Sequence, residues 1–239
     1  MKVSVIIPMY YECSVIEDTA IKLSDTMDKH FDSYEILFSD DGSRDGCGEL
    51  VKALDLPCVR VTGYENNRGK GCAIRTAMLE ATGDIIMFTD ADLAYGTEVI
   101  PAAVKLLEKN DEAGVLIGSR NIGKNGYDGY TFLRRIKSKV YIRVLCIVGG
   151  FKLTDSQCGC KAFKRDAARA LFSQAKVDGF AFDFEMILRA QTEEIKIIEM
   201  PVKIINHRDS KIHVIRDSVR MLRDLVKIKK DIKKEKPKK

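Results

Sequence analysis

The chain lacks any hydrophobic run long enough to cross a bilayer. Near its middle the longest stretch without a charged residue is Val144 to Phe151, eight residues, where a spanning helix needs about 20. A secretory leader is not expected either, because Lys2 leads straight into Val3-Ser4-Val5-Ile6-Ile7-Pro8 with no cleavage-type segment. The seven cysteines are odd in number and follow no repeating pattern, which argues against a disulfide framework and for a reducing compartment. Cys158-Gly159-Cys160 has no second pair, so a structural zinc site is excluded. Tryptophan is absent altogether, which rules out the Gln-x-x-Arg-Trp acceptor motif of processive polysaccharide synthases. The expectation is a cytoplasmic protein.

What is present is an ordinary globular composition. The 239 residues are 45% hydrophobic and 31% charged, enough for one large domain that buries roughly three quarters of its extended-chain surface. Lys and Arg number 40 against 35 Asp and Glu, a net +5. Lys227 to Lys239 contain eight Lys against Asp231 and Glu235, which is +6, so the remaining body carries −1. The expected division is a folded domain over 1–226 and a basic tail over 227–239. A basic tail on a neutral body suits an anionic surface as partner, not a nucleic acid. A solvated, disordered terminus is the alternative for the last few residues.

Short apolar runs alternate with amphipathic patterns. Val3–Pro8, Glu35–Asp40, Cys58–Thr62, Asp84–Asp90 and Ala113–Ser119 read as buried strands. Helices are expected over Ser14–His30, opened by the capping box Ser14-Val15-Ile16-Glu17, and over Asp45–Leu54, Gly69–Ala81 and Glu98–Lys109. This alternation implies parallel βαβ units: an α/β fold, Rossmann-like, with a mostly parallel central sheet flanked by helices. The second half differs. Arg120–Phe132 is glycine-containing and almost aperiodic, as expected of a mobile loop over a site. Helices over Arg134–Val148 and Phe182–Gln191 and a strand over Lys196–Ile205 follow.

In open sheets of this type, ligands bind beyond the carboxyl ends of the strands. Polar residues cluster there. The first strand ends in Pro8-Met9-Tyr10-Tyr11-Glu12, the second in Asp40-Asp41-Gly42-Ser43, and the fourth in Asp90-Ala91-Asp92. Asn66-Asn67-Arg68-Gly69-Lys70-Gly71 follows the third strand and enters a helix. Converging carboxylates repel one another unless something cationic joins them. Asp90 and Asp92 leave one strand a residue apart and would offer hard oxygen ligands to Mg²⁺ or Mn²⁺ beside a phosphorylated ligand. Strand-end aspartates also serve as caps and turn formers, and a tight turn is the alternative for Asp41-Gly42-Ser43. Lys70 and the amides after Gly69 open a helix, a natural anion site; a solvent-facing lysine is the alternative.

The ordered set Pro8-x-Tyr10-x-Glu12, Asp40-Asp41-Gly42-Ser43, Asn67-Arg68-Gly69-Lys70-Gly71, Asp90-Ala91-Asp92 and Gly118-Ser119-Arg120 resembles glycosyltransferase family 2, nucleotide-sugar enzymes with the GT-A fold. Asp155-x-Gln157-Cys158-Gly159-x-Lys161 is similar to the polyprenyl-phosphate sugar synthases, which include dolichyl-phosphate mannose and glucose synthases. Leu93-Ala94, Phe182-Asp183-x-Glu185, Ser210-Lys211 and Met221-Leu222-Arg223-Asp224-Leu225 look like the glucosyl branch. Phe180 and Ile204 stand where that branch usually has Trp.

The resemblance implies roles. Pro8, Tyr10 and Glu12 would frame base and ribose, and Asp40 and Asp41 would contact the nucleoside. Asp90 and Asp92 would hold the metal, with Lys70 or Lys211 assisting on the diphosphate. Arg120, Arg134 and Ser138 match the group that cradles the acceptor phosphate; Arg135 would replace Arg134 in a register shifted by one. Arg208 is the alternative to Lys211. Asp155 and Gln157 would line the acceptor side, and His207 and His213 would lie on the surface. The implied reaction is inverting transfer of a hexose, glucose from UDP-glucose, onto a polyprenyl phosphate at the inner membrane face. GDP-mannose or another UDP-sugar as donor, a non-lipid acceptor, and a catalytically inactive membrane-binding module are the alternatives. A nucleotidyltransferase would need a Gly-rich basic first loop, which Pro8-Met9-Tyr10-Tyr11-Glu12 is not.

Helical angles add one expectation independent of family. With Ile215 at zero and about 100° per residue, Ile215, Val219, Leu222 and Val226 lie within about 40° of zero, and Met221, Leu225, Ile228 and Ile232 near 220–280°. Arg216, Arg220, Arg223, Lys227, Lys230 and Lys234 form one stripe between about 60° and 140°. This helix is expected to lie on an anionic membrane, with Ile228 and Ile232 dipping into the interface. A core-packed surface helix with a solvated basic edge is the alternative.

Overall fold

The computed structural model describes residues 1–122, 132–206 and 214–235, the side chains of 132–139 and 214–219 excepted. β1 (Val3–Met9), α1 (Cys13–His30), β2 (Tyr34–Asp40), α2 (Cys47–Ala53), β3 (Val59–Gly63), α3 (Lys70–Glu80), β4 (Ile85–Phe88), α4 (Val99–Glu108) and β5 (Ala113–Ser119) alternate as the apolar periodicity predicts. α5 (Phe132–Gly149), β6 (Lys161–Lys164), α6 (Arg165–Phe172), α7 (Phe182–Thr192), β7 (Lys196–Pro201) and α8 (Val214–Glu235) complete the described chain.

The sheet has the order β3-β2-β1-β4-β6-β5-β7. All neighbours are parallel except β6, which runs antiparallel to both β4 and β5. The expected fold class holds, but neither β6 nor α6 was expected. Lys-Ala-Phe-Lys gives too short an apolar signal to be read as a central strand, yet Lys161, Ala162 and Phe163 are almost wholly buried. β1, β2, β4 and β5 show why those strands were legible: Val5, Ile6, Ile36, Leu37, Ile86 and Leu116 are each 0% exposed, as strands covered on both faces require.

β1 sits between β2 and β4, so the strand order reverses direction there. Register then aligns the strand ends: Met9 pairs Asp40, and Ile6 pairs Phe88, two residues before Asp90. The polar loops after β1, β2 and β4 therefore leave one edge together.

Two helical expectations need correction. α1 begins at Cys13, with Glu12 rather than Ser14 at its cap. Its first amide, from Cys13, donates to Asp45 Oδ2 at 3.1 Å, so a carboxylate from the loop after β2 does the work assigned to the Ser14 capping box. α8 runs unbroken across 226 and 227. Leu225, Ile228 and Ile232 are 0%, 6% and 6% exposed and belong to the core. Glu235 pairs with Lys176 and Arg189 at 2.6 and 3.0 Å, and the Lys229 ammonium caps the Val148 carbonyl at 2.8 Å. Ile228 and Ile232 thus face protein, not lipid. No helix among the described residues is long and apolar enough to cross a membrane.

Candidate active site

The loop after β2 is built on Asp41. Its carboxylate is buried and accepts from the Tyr64 hydroxyl at 2.6 Å, Asn67 Nδ2 at 2.8 Å, and the backbone amides of Arg68 and Gly69 at 2.9 Å. Gly42 has φ +74°, and a Cβ there would come within 2.7–2.8 Å of the backbone of residues 65–67, so only glycine lets the two loops close. Asp41 therefore faces inward. Its carboxylate is occupied by donors of the loop that precedes α3. Asp40 remains half-buried at the strand end, accepting from the Ser43 amide at 2.8 Å. Ser43 Oγ in turn accepts from the Tyr11 amide at 3.1 Å, tying the β1 and β2 loops. Tyr10 is 45% exposed and meets Tyr11 edge-on, ring centroids 4.7 Å apart, beside half-buried Pro8 and Glu12.

Lys70, the first residue of α3, does not face solvent. Its ammonium forms an ion pair with the Asp90 carboxylate. Burial works against that ammonium, but the charge and hydrogen bond of Asp90, together with the charges of Asp183 and Asp92, raise the Lys70 pKa. Burial, and then the charge on Asp90, push the Asp92 carboxyl above its ordinary value, against one amide bond from Ala94 at 3.1 Å. Gly159 packs on Asp90 so closely that a Cβ would overlap its carboxylate. The Cys-Gly-Cys run is thus a backing plate for Asp90; both thiols are buried, and all seven cysteines are unpaired.

Beneath this lies a second, buried pair. The Lys161 ammonium bonds Asp183 and the Cys158 carbonyl, both at 2.7 Å, 5.5 Å from the Phe88 ring centroid. Burial pushes the Asp183 carboxyl up despite Lys161.

Arg120, at the end of β5, reaches the same cavity. Asp155 holds it with Nε and Nη2 donating at 2.6 and 3.0 Å to the two carboxylate oxygens. Asp155 was expected to line the acceptor side; it is 0% exposed and instead positions Arg120. Its loop is fixed by Glu199 of β7, which accepts from the amides of Thr154 and Asp155 at 2.9 and 3.1 Å. The sequence carried no signal for Glu199 beyond an acid in a strand. Gln157 points toward α8 and donates to Met221 Sδ at 3.4 Å.

These groups share a cavity of about 840 Å³, into which Lys70, Asp90, Arg120, Gln157 and Asp183 project, with α8 as its wall through Arg220, Met221 and Lys227. Pro8, Tyr10 and Asp40 stand at the neighbouring strand ends and do not line it. The chain over 205–206 is anchored beside the acidic pair, with the amides of Ile205 and Asn206 donating to the Ala94 carbonyl at 2.8 and 3.2 Å. Lys211, Arg208, His207 and His213 lie outside the described residues, as do the side chains of Arg134, Arg135 and Ser138 and the loop over 123–131.

The donor set fits a hard divalent cation. Two hard carboxylate donors, Asp90 and Asp92, follow one strand a residue apart, the oxygen chemistry such a cation takes. Among the described residues no third His, Cys, Asp or Glu joins them, so a cation held there would take its other ligands from a bound phosphate group and water.

The seven-stranded, mostly parallel α/β sheet, with its carboxylates at the strand ends, has the architecture of the GT-A fold. Residues 4–172 match the model for Glycosyl transferase family 2, and the chain belongs to that family. It is 32% identical over 237 residues to the dolichyl-phosphate beta-glucosyltransferase of Dictyostelium discoideum, covering 91% of this chain and 71% of that one. A dolichyl-phosphate beta-glucosyltransferase of Trichomonas vaginalis is 31% identical over 188 residues, covering 76% of this chain and 56% of that one. The chain therefore spans little more than half of that relative's length. Among solved structures, glucosyl-3-phosphoglycerate synthase from Mycobacterium tuberculosis, in complex with Mn²⁺, UDP and glucosyl-3-phosphoglycerate, has TM-score 0.69 at 18% identity, covering 95% of this chain and 78% of that one.

Proposed function

We propose that the protein is an inverting hexosyltransferase that moves glucose from UDP-glucose onto a polyprenyl phosphate at the inner face of the membrane. The single observation that carries this is the shared cavity, which sets the Asp90–Lys70 pair and the Asp155-clamped Arg120 around one space. One side suits a sugar diphosphate and the other a second phosphate. The names of the relatives support glucose and an isoprenoid acceptor.

An acceptor phosphate is already an anion, so no strong general base is required. Its oxygen bonds to the anomeric carbon from the face opposite the departing diphosphate. The bond from that carbon to the diphosphate oxygen breaks, its electron pair leaves on the nucleotide, and configuration inverts. Arg120, held rigid by Asp155, draws the attacking phosphate toward the sugar. Lys70 lies where the leaving diphosphate gathers charge. Asp90 and Asp92 would hold Mg²⁺ or Mn²⁺, which supplies further neutralisation of the diphosphate when bound. Lys211 is assigned to the same diphosphate, Arg134 and Ser138 to the acceptor phosphate, Gln157 to the acceptor side, and Pro8, Tyr10, Glu12 and Asp40 to base and ribose.

Arg223, Lys227 and Lys230 are exposed along α8 and support electrostatic attraction to anionic headgroups. A screen of UDP-glucose, other UDP-sugars and GDP-mannose against undecaprenyl and dolichyl phosphate, read by product mass, tests the assignment. Hexosylated lipid from UDP-glucose alone is expected. A preference for GDP-mannose, or no lipid product with any donor, would overturn it.

A further inference from the structure

α8 spends its apolar face on the protein body, but α5 does not. Val140, Val144 and Ile147 are 58%, 38% and 74% exposed. Their spacing of four and then three residues stacks them in one stripe along the helix. Leu145 on the opposite side is wholly buried, and Ile142 nearly so, so α5 is packed against the body and presents the stripe outward. Among the described residues, α1, α2, α3 and α8 each expose a single large apolar side chain. Three in line are therefore a patch and not scatter.

Charge says what covers it. From Phe132 to Thr154 the sequence has Arg134, Arg135, Lys137, Lys139, Arg143 and Lys152 and no Asp or Glu. A second copy of the stripe would bring two such basic segments together at a cost, whereas a bilayer bearing anionic headgroups complements both the apolar line and its flanks. Position agrees. A groove of about 750 Å³ runs between α5 and residues 150–154, from Ile147 past Phe151 and Leu153 to Asn121 and Thr154. Those two residues adjoin Arg120 and Asp155, and Asn121 Nδ2 donates to the Thr154 carbonyl at 2.7 Å. Ile147 thus belongs both to the exposed stripe and to a groove that ends beside the clamped arginine.

We propose that α5 docks the protein on an anionic bilayer, with Val140, Val144 and Ile147 entering the interface and the exposed Arg143 and Lys152 on the headgroups. The proposal deepens the lipid-acceptor function by naming the docking face, and it is tested on vesicles that contain no polyprenyl phosphate, so its failure and that of the transfer reaction are separate results. Because the chain has no Trp, Ile147→Trp introduces a lone indole that reports the stripe directly. With phosphatidylglycerol vesicles brominated in the acyl chains, its emission should shift to the blue and be quenched. The effect should be small on phosphatidylcholine alone and should shrink with salt. The double variant Val144→Asp, Ile147→Asp should partition more than about tenfold less, with its thermal midpoint and its turnover of a short, water-soluble isoprenyl phosphate unchanged. An indole that vesicles neither shift nor quench would overturn the proposal. So would a double variant that pellets like the parent, which would move docking to another face such as α8. A dimer that the double variant dissociates, without vesicle binding by the parent, would make the stripe a self-association face and equally overturn it.

Discussion

Asp155 holds Arg120 by two bonds, Nε to Oδ2 at 2.6 Å and Nη2 to Oδ1 at 3.0 Å, from a position with no solvent exposure. Burial alone would lower the Arg120 pKa, but the charge and hydrogen bonds of Asp155, with neighbouring groups adding to them, raise it, so the guanidinium is fixed both in place and in charge. Asp155→Asn keeps one acceptor and removes the charge. It should lower the use of lipid phosphate by more than about tenfold while UDP affinity stays within about twofold. Calorimetry showing an equal loss of UDP binding would reassign Arg120 to the donor side. The thermal midpoint should fall as well, since losing one partner of a buried pair costs roughly 3–5 kcal/mol when nothing replaces it.

Gly159→Ala tests the backing of Asp90. A methyl group there would overlap the carboxylate, and the side chain must turn away from the Lys70 ammonium. Activity should drop by at least about a hundredfold with little change in the melting temperature, because the displaced group lies at the cavity wall. Near-normal turnover by a correctly folded variant would show that the position of Asp90 is not critical.

Asp41→Ala should act on the loop and not on the base. The Tyr64 hydroxyl and the amides of Arg68 and Gly69 would lose their acceptor, at roughly 1–3 kcal/mol for each group left buried and unpaired. Hydrogen exchange at residues 66–69 should accelerate sharply, and UDP binding should weaken secondarily. Unchanged exchange with lost UDP affinity would return Asp41 to the nucleoside role that its sequence neighbours suggested.

Glu35 supplies a pH-dependent tie between β1, β2 and the turn before β4. Burial would raise its pKa, but bonds from Ser4 Oγ at 2.6 Å and the Thr82 amide at 2.7 Å prevail and lower it. A carboxylate whose folded pKa is depressed contributes stability above its unfolded value, about 4.3, and loses it as pH falls through the folded pKa. Glu35→Gln should therefore flatten the decline of the melting temperature below about pH 4.5. A parallel decline in both proteins would remove Glu35 from the acid transition.

Much of this architecture was legible because it rests on periodicity. Fully buried β1, β2, β4 and β5 are continuous apolar runs, and the motifs lie where those runs stop. What escaped depends on contacts that no local pattern encodes. Nothing local to Lys161 shows that Asp183 and the Cys158 carbonyl hold it in the core. Asp40 and Asp41 are adjacent in sequence but face a strand end and a loop interior. The angles of α8 put Leu225, Ile228 and Ile232 on one face, which the body covers and not lipid, because amphipathicity defines a face and not what covers it. Ile228 and Ile232 went to the body, which left the α5 stripe as the exposed one.

The reaction itself admits a single direct measurement: incubation with UDP-glucose, Mg²⁺ or Mn²⁺ and a polyprenyl phosphate, with the product read by mass and by the anomeric proton coupling. Inverting transfer at the Asp90–Lys70 and Arg120–Asp155 site predicts a lipid heavier by one hexose, in β linkage, with one UDP released per product, and both product and UDP should vanish in excess chelator or in Asp92→Asn. UDP release without a glycosylated lipid, an α linkage, or full activity in excess chelator would contradict it.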